Sequence, residues 1–261
     1  MNSDFSFKKF QWKKIIAFAL CVLMLLPQTA VFAAGKTQKM EIVIDAKGSS
    51  SGNALYVASD DDEFVYTGKT IKPVVYVYED VRKNHYVTLK VISKKYYTVK
   101  YGKFNSQRKF NTSATKAVGV YYVQVTFKGK YKDMSPVYTQ FVIRPQTVKI
   151  KSVKANSKKK ATVTWNKLAK STVTGYQALS SARAAYKNDQ HIYEEPHFND
   201  TGVNVAKSTA SSYKFYKTGW GNKNYVRVRA YKDVEYYDQW GQYQEASIAG
   251  DWSKALTVTF K

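Results

Sequence analysis

The sequence predicts an all-β protein made of two tandem β-sandwiches behind an N-terminal export segment. Three observations carry that expectation. Short runs of alternating apolar and polar residues recur about every 8 to 12 residues, with turn residues between them. Examples are Val74–Tyr78, Tyr97–Tyr101, Val120–Phe127, Ala161–Trp165 and Tyr225–Tyr231. Past residue 34, no window sustains apolar residues at the helical spacing. Finally, aromatic residues make up 15% of the chain and 22 of them are Tyr, a ring that packs well on strands while keeping a polar tip.

Residues 1–34 carry the layout of a secretory signal. Lys8, Lys9, Lys13 and Lys14 form a basic start, Ile15–Leu26 an apolar run, and Pro27 breaks it. Val31-Phe32-Ala33 then offers small residues where a signal peptidase reads, so cleavage is expected after Ala33 or Ala34. The run is too short to span a bilayer, which takes about 20 apolar residues. Stable membrane insertion after cleavage is therefore not expected. The one cysteine, Cys21, lies inside this run. Residues 35–261 thus have no disulfide and no thiol chemistry, and their stability must come from burial. The formal charge of the chain is +23; residues 1–34 hold four Lys and one Asp, which leaves +20 on the remainder. Such a charge draws the protein toward anionic partners without specifying which.

Residues 35–63 read as an N-terminal strand and loop, including a Ser/Gly-rich stretch at Lys47–Asn53 and the acidic run Asp60-Asp61-Asp62-Glu63. The acidic run lacks the spacing of a helix-loop-helix calcium site and reads as a solvated loop. From 64 to 145 the motifs follow in order: YTGKTIKP at Tyr66–Pro73, YTVKY at Tyr97–Tyr101, Gly129-Lys130-Tyr131, and a run ending at Pro145. Gly68 and Gly129 suit turns of positive φ, and Pro73 suits a strand start, where a missing donor costs little. In that order these motifs resemble an immunoglobulin-like module of bacterial surface proteins, which implies a spacer or adhesive unit without catalysis.

Pro145 marks the junction to residues 146–261. Here Ala161, Val163 and Trp165 alternate toward one face, Thr174-Gly175-Tyr176-Gln177 follows, then Tyr225–Tyr231. The last run starts at Asp251-Trp252-Ser253 and places Leu256, Val258 and Phe260 on one face. This stretch resembles a fibronectin type III domain of bacterial extracellular proteins, so both halves are expected to be immunoglobulin-like β-sandwiches. Asn224 stands where that family usually has the tyrosine that ties a corner to backbone, so that corner is made differently or lost. The connections Leu179–Tyr213 and Tyr231–Trp252 are longer than the family's. The tripeptide Arg-Gly-Asp is absent, so integrin binding does not carry over.

The candidate ligand-binding residues lie on the second of these connections and the run before it. With Val226, Val228 and Ala230 facing a core, Tyr225, Arg227, Arg229 and Tyr231 form an outward stripe of rings and cations. Between Tyr231 and Trp252, the rings Tyr236, Tyr237, Trp240 and Tyr243 interleave with carboxylates. That is the chemistry of a sugar-binding loop, and equally of an extended hairpin turning near Trp240-Gly241 with its rings packed cross-strand. The segment His191, Glu194, His197, Asp200 matches no zinc spacing, and His85 has no nearby acid or nucleophile. No nucleotide loop or serine elbow is visible. Neither cofactor, metal nor catalytic residue is expected, and the protein reads as non-enzymatic. The expectation is a secreted or surface-retained interaction or adhesion protein, held by an anionic cell-wall polymer, a glycan or a protein ligand. The alternative is a carbohydrate-binding accessory using the aromatic connection. No sorting signal or apolar tail follows the last run, so retention on the cell is expected to be electrostatic. Nucleic acid would be held through charge alone, without sequence preference.

Overall fold

The computed structural model describes residues 39–44, 54–58, 63–83, 86–182, 186–187, 193–194, 203–205, 207–217 and 219–261. Residues 1–34 with Cys21, expected above to be an export segment, the Lys47–Asn53 stretch, Asp60–Asp62, His85, His191, His197 and Asp200 lie outside these residues.

The first half folds as strands because its apolar residues alternate. They are β1 (Lys39–Ile44), β2 (Ala54–Ala58), β3 (Glu63–Val65), β4 (Val74–Lys83), β5 (Tyr86–Val91), β6 (Tyr97–Phe104), β7 (Phe110–Thr112), β8 (Gly119–Phe127) and β9 (Val137–Arg144). One sheet runs β2-β1-β4-β5; the facing one runs β6-β8-β9-β3. Two pairings are parallel, β1 with β4 and β3 with β9. Met40, Val75 and Val77 from the first sheet meet Tyr121, Val123, Val125, Phe141 and Ile143 from the second in one core. Met40 places residues N-terminal to Phe64 inside this sandwich. Phe141 is fully buried among Phe64, Tyr101 and Tyr121, with ring centroids 5.6 to 6.4 Å away. Burial of one such ring stabilises the fold by on the order of 4 kcal/mol. Gly68 and Gly129 take φ of +76° and +59°, as their turns require.

With no disulfide available, tyrosine hydroxyls tie this sandwich to its own backbone. Tyr97 donates to the Val75 carbonyl at 3.1 Å and Tyr101 to the Pro73 carbonyl at 2.6 Å, bridging the two sheets. Tyr121 donates to the Ala117 carbonyl, and Tyr131 to the buried carboxylate of Glu79 at 2.7 Å. Thr115 completes the set, donating its hydroxyl to the Ile71 carbonyl while its own carbonyl accepts the Ile71 N–H. Each bond is worth about 1 kcal/mol net, and each also removes a buried polar group from the unsatisfied column.

The second half contains β10 (Ile150–Ala155), β11 (Lys160–Trp165), β12 (Gly175–Ser181), β13 (Tyr186–Lys187), β14 (Tyr193–Glu194), β15 (Val203–Val205), β16 (Ser212–Tyr216), β17 (Lys223–Tyr237), β18 (Tyr243–Ala249) and β19 (Leu256–Thr259). The sheet β10-β11-β16 faces β15-β12-β17, and β19 borders the start of β17. Three strands thus face four in a second β-sandwich, as the alternating runs predict. Ala161, Val163 and Trp165 point inward, fully buried, against Tyr176, Val226, Val228, Ala230 and Phe260. Trp165 and Tyr176 pack at 5.3 Å, and the Tyr176 hydroxyl accepts the Leu168 N–H at 2.8 Å. At the altered corner, Asn224 is fully buried and its amide donates to Ser180 Oγ at 3.2 Å, fastening β17 to β12. Val258 and Phe260 reach the core as expected, but Leu256 is 37% exposed. It lies where the strand re-enters the sheet after an interruption at residues 250–255.

β17 is far longer than its sandwich needs. Its first half pairs with β12 and β19, and its second half leaves that sandwich paired with β18. At its far end Tyr237 pairs with Phe104 of β6, so one sheet runs unbroken through both sandwiches. Residues Thr37–Lys261 accordingly form a single compact unit.

Candidate functional site

The connection between Tyr231 and Trp252 is a hairpin, and its turn is made by one side chain. Asp238 Oδ1 accepts the N–H groups of Trp240 and Gln242 at 2.9 and 2.8 Å, while Oδ2 takes the Gln244 amide. Gly241 holds φ at +74°, and a Cβ there would lie 2.8 Å from the Ser106 carbonyl of the first sandwich. The turn can sit this close only because that residue has no side chain.

The four hairpin rings divide. Tyr236 and Tyr237 pack, with Val234 and Ile248, against Phe104, Val120 and Tyr122 on the outer face of the first sandwich. Phe104 sits at the middle of this third cluster, with edge-on contacts to Tyr122 at 4.9 Å, Tyr138 at 5.0 Å and Phe110 at 5.6 Å. Tyr122 loses so much water there that its hydroxyl pKa is pushed up to about 12, with Tyr236 and Asp238 adding to the effect. Trp240 stays 60% exposed at the tip and Tyr243 50% exposed on the return strand. Two of the four rings thus serve as a clasp between sandwiches, and two face solvent.

The outward stripe on β17 has the geometry of a prepared surface. Val226, Val228 and Ala230 are buried, while Tyr225, Arg227, Arg229 and Tyr231 are half-exposed on the other face. Arg229 Nε donates to Gln177 of the neighbouring strand at 2.6 Å, and its guanidinium lies 4.3 Å over the Trp252 ring. The ring reaches it because the strand opposite β17 is interrupted. Ser253 replaces a ladder rung by accepting the Val228 N–H on Oγ and donating its own N–H to the Val228 carbonyl, both at 2.9 Å. Asp251 and Trp252 are thereby turned out of the sheet, Trp252 onto Arg229 and Asp251 onto Arg144 at the end of the first sandwich. Arg229 is thus held by an amide on the neighbouring strand and by a ring face, two contacts that fix a planar guanidinium.

One open cleft of about 370 Å³ lies on the first sandwich, lined by Lys72, Lys94, Val75, Val99, Tyr97 and Tyr101. Both tyrosine hydroxyls there already donate to backbone carbonyls, so the wall is structural. Among the described residues, no three His, Cys, Asp or Glu gather as a metal site, and no helix is long and apolar enough to cross a membrane.

No protein-family model and no curated protein sequence matches the chain. Among solved structures, the chicken CNTN1 FN1–FN3 domains are similar at 14% identity over 67% of this chain, with a TM-score of 0.31. The chain spans 62% of that fragment's length. A two-domain fibronectin type III segment of chicken tenascin is similar at 17% identity, over 64% of this chain and 90% of the segment, with a TM-score of 0.32.

Two exposed or half-exposed tryptophans escape a reading of the sequence. Trp252 carries no local sign of its partner, because its contact with Arg229 depends on the interruption at Ser253. Trp220 is fully exposed between Gly219 and Gly221. That setting, an indole between two glycines, was visible as a ring with no strand to pack on.

Proposed function

We propose that the protein is an exported, non-enzymatic interaction protein that binds an anionic polymer of the cell surface through the outer face of β17. The observation that carries this reading is the row Tyr225, Arg227, Arg229 and Tyr231, with Arg229 held between Trp252 and Gln177. Planar guanidinium forks recognise phosphate or carboxylate groups better than the flexible lysines elsewhere on the chain. The +20 charge of residues 35–261 supplies long-range attraction, and the stripe supplies a place to dock.

The test is retention of residues 37–261 on cell-wall fractions across a salt series. Binding is expected to weaken steadily with salt, and the double variant Arg227→Gln/Arg229→Gln to lose about tenfold or more, since charge-assisted bonds are worth about 1.5–3 kcal/mol each. A double variant that binds as the parent does, while lysine variants elsewhere weaken binding, removes the stripe from this role.

A further inference from the structure

We infer that the end of the second sandwich opposite the clasp is a docking surface for an anionic lipid bilayer, with Trp220 as the inserted group. Three chain segments meet at this pole. The turn before β11 joins the loop after β16, where the Lys217 N–H donates to the Lys159 carbonyl at 2.8 Å. That loop is tied in turn to the last strand, where the Phe260 N–H donates to the Asn222 carbonyl at 2.7 Å. Lys217 Nζ closes the loop on Asn222 Oδ1 at 3.1 Å. Its backbone is therefore anchored on both sides, yet Trp220 at its tip is fully exposed.

An indole held out in water by an anchored loop is unfavourable for the isolated protein and favourable at a lipid–water interface. There, its ring is buried while its N–H stays wet. The surroundings match such an interface in charge. Lys158, Lys159, Lys160 and Lys223 are exposed around the loop, and Lys160 and Lys223 lie 5.3 Å over the rings of Tyr216 and Tyr225. Between Gln146 and Lys232 the only carboxylates are Asp189, Glu194, Glu195 and Asp200, and from Trp252 to Lys261 there is none. Clustered lysines draw the loop to anionic lipid, and an interfacial ring beside them adds apolar burial once it arrives.

The shape favours a bilayer over a sugar or a soluble polyanion. A glycan site needs a concave platform with acceptors for hydroxyl groups, whereas this ring projects from a turn flanked by glycines. A soluble polyanion would use the lysines and leave the indole nothing to contact. The contact is peripheral, made by a loop, and involves no spanning segment. It goes beyond the polymer reading above, using a different surface and a different partner.

Vesicle flotation with residues 37–261, which contain every core residue, tests it. Vesicles of phosphatidylcholine alone are compared with an equal mixture of phosphatidylcholine and phosphatidylglycerol, and brominated lipid serves as a quencher of Trp emission. Binding is expected only to the anionic mixture, with quenching. Trp220→Ala should weaken it about tenfold or more and abolish most of the quenching, from the apolar area withdrawn. Each of Lys159→Gln and Lys223→Gln should weaken it roughly fivefold. Trp240→Ala, at the opposite end of β17, should bind and quench as the parent does. Equal binding by Trp220→Ala and the parent overturns the proposal, as does equal loss in Trp240→Ala. Capture on immobilised polyphosphate that survives Trp220→Ala, without vesicle binding, also overturns it in favour of a simple polyanion contact. Arg227→Gln/Arg229→Gln should leave vesicle binding intact, so failure of the polymer reading and failure of this one are separable.

Discussion

Replacing Phe104 with Ala is the sharpest test of the clasp. The side chain is almost fully buried, touches three rings edge-on, and belongs to the cluster between the sandwiches rather than to either main core. A buried Phe→Ala change costs about 3–5 kcal/mol. That is a large share of the roughly 5–15 kcal/mol that holds a typical domain folded. Because the two main cores keep all their residues, the loss should fall on the coupling between them. The chain supplies its own reporter. In residues 37–261 the tryptophans are Trp165, Trp220, Trp240 and Trp252, all in the second sandwich, whereas far-UV circular dichroism reads both. Urea unfolding of the parent should give coincident transitions by the two probes, the mark of a single cooperative unit. In Phe104→Ala the dichroism transition should broaden and move ahead of the Trp transition, as the first sandwich unfolds without the second. Coincident probes in the variant, an unchanged slope and a loss below about 1 kcal/mol would refute the coupling argument.

Two other outcomes follow from the buried hydroxyls. Tyr131→Phe strips the buried Glu79 carboxylate of a donor at 2.7 Å and should cost about 1–3 kcal/mol in urea unfolding, while Tyr131→Phe/Glu79→Leu should recover part of it. No loss in the single variant would show that Glu79 does not depend on that bond. Alkaline stability should fall in a defined window. Burial raises the pKa of Tyr122 to about 12 and moves Tyr97, Tyr101, Tyr121 and Tyr176 upward as well. An unfolded phenol ionises near pH 10, so the folded state holds protons that the unfolded state releases above that value. The stabilisation is whole below about pH 10 and fades as pH rises toward 12. Tyr122→Phe should flatten the melting temperature across that window. A parent whose stability is level from pH 10 to 12 would contradict the burial of these rings.

The sandwiches were legible because period-two alternation survives without knowledge of the partner. Val226, Val228 and Ala230 must share a face wherever β17 sits, and Ala161, Val163 and Trp165 likewise. The hairpin turn near Trp240-Gly241 was legible for the same local reason, whereas its capping by Asp238 was not. Its destination was not, since nothing in Tyr236 or Ile248 names Phe104 as a neighbour. A sign did exist in β8, where Gly119 to Val123 is buried without alternation. A strand covered on both faces reads as a continuous apolar run, and Val120 and Tyr122 were the covered outer positions. The stripe on β17 was placed correctly on the outer face, but its fixing by Trp252 depends on a strand interruption that leaves no periodic trace.

The length of β17 also sorts charge within the second half of the chain. Its 15 residues span about 46 Å at the rise of a strand. Asp233 and Glu235 lie on its far half, Asp238 in the turn and Glu245 on the returning strand, whereas Lys158, Lys159, Lys160 and Lys223 gather at its start. Residues 35–145 and 146–261 each hold 19 Lys and Arg against 9 Asp and Glu, so a negative surface attracts both sandwiches alike. What the length of β17 adds is a repelled stretch, the acidic hairpin, set well away from the lysine end of the second sandwich.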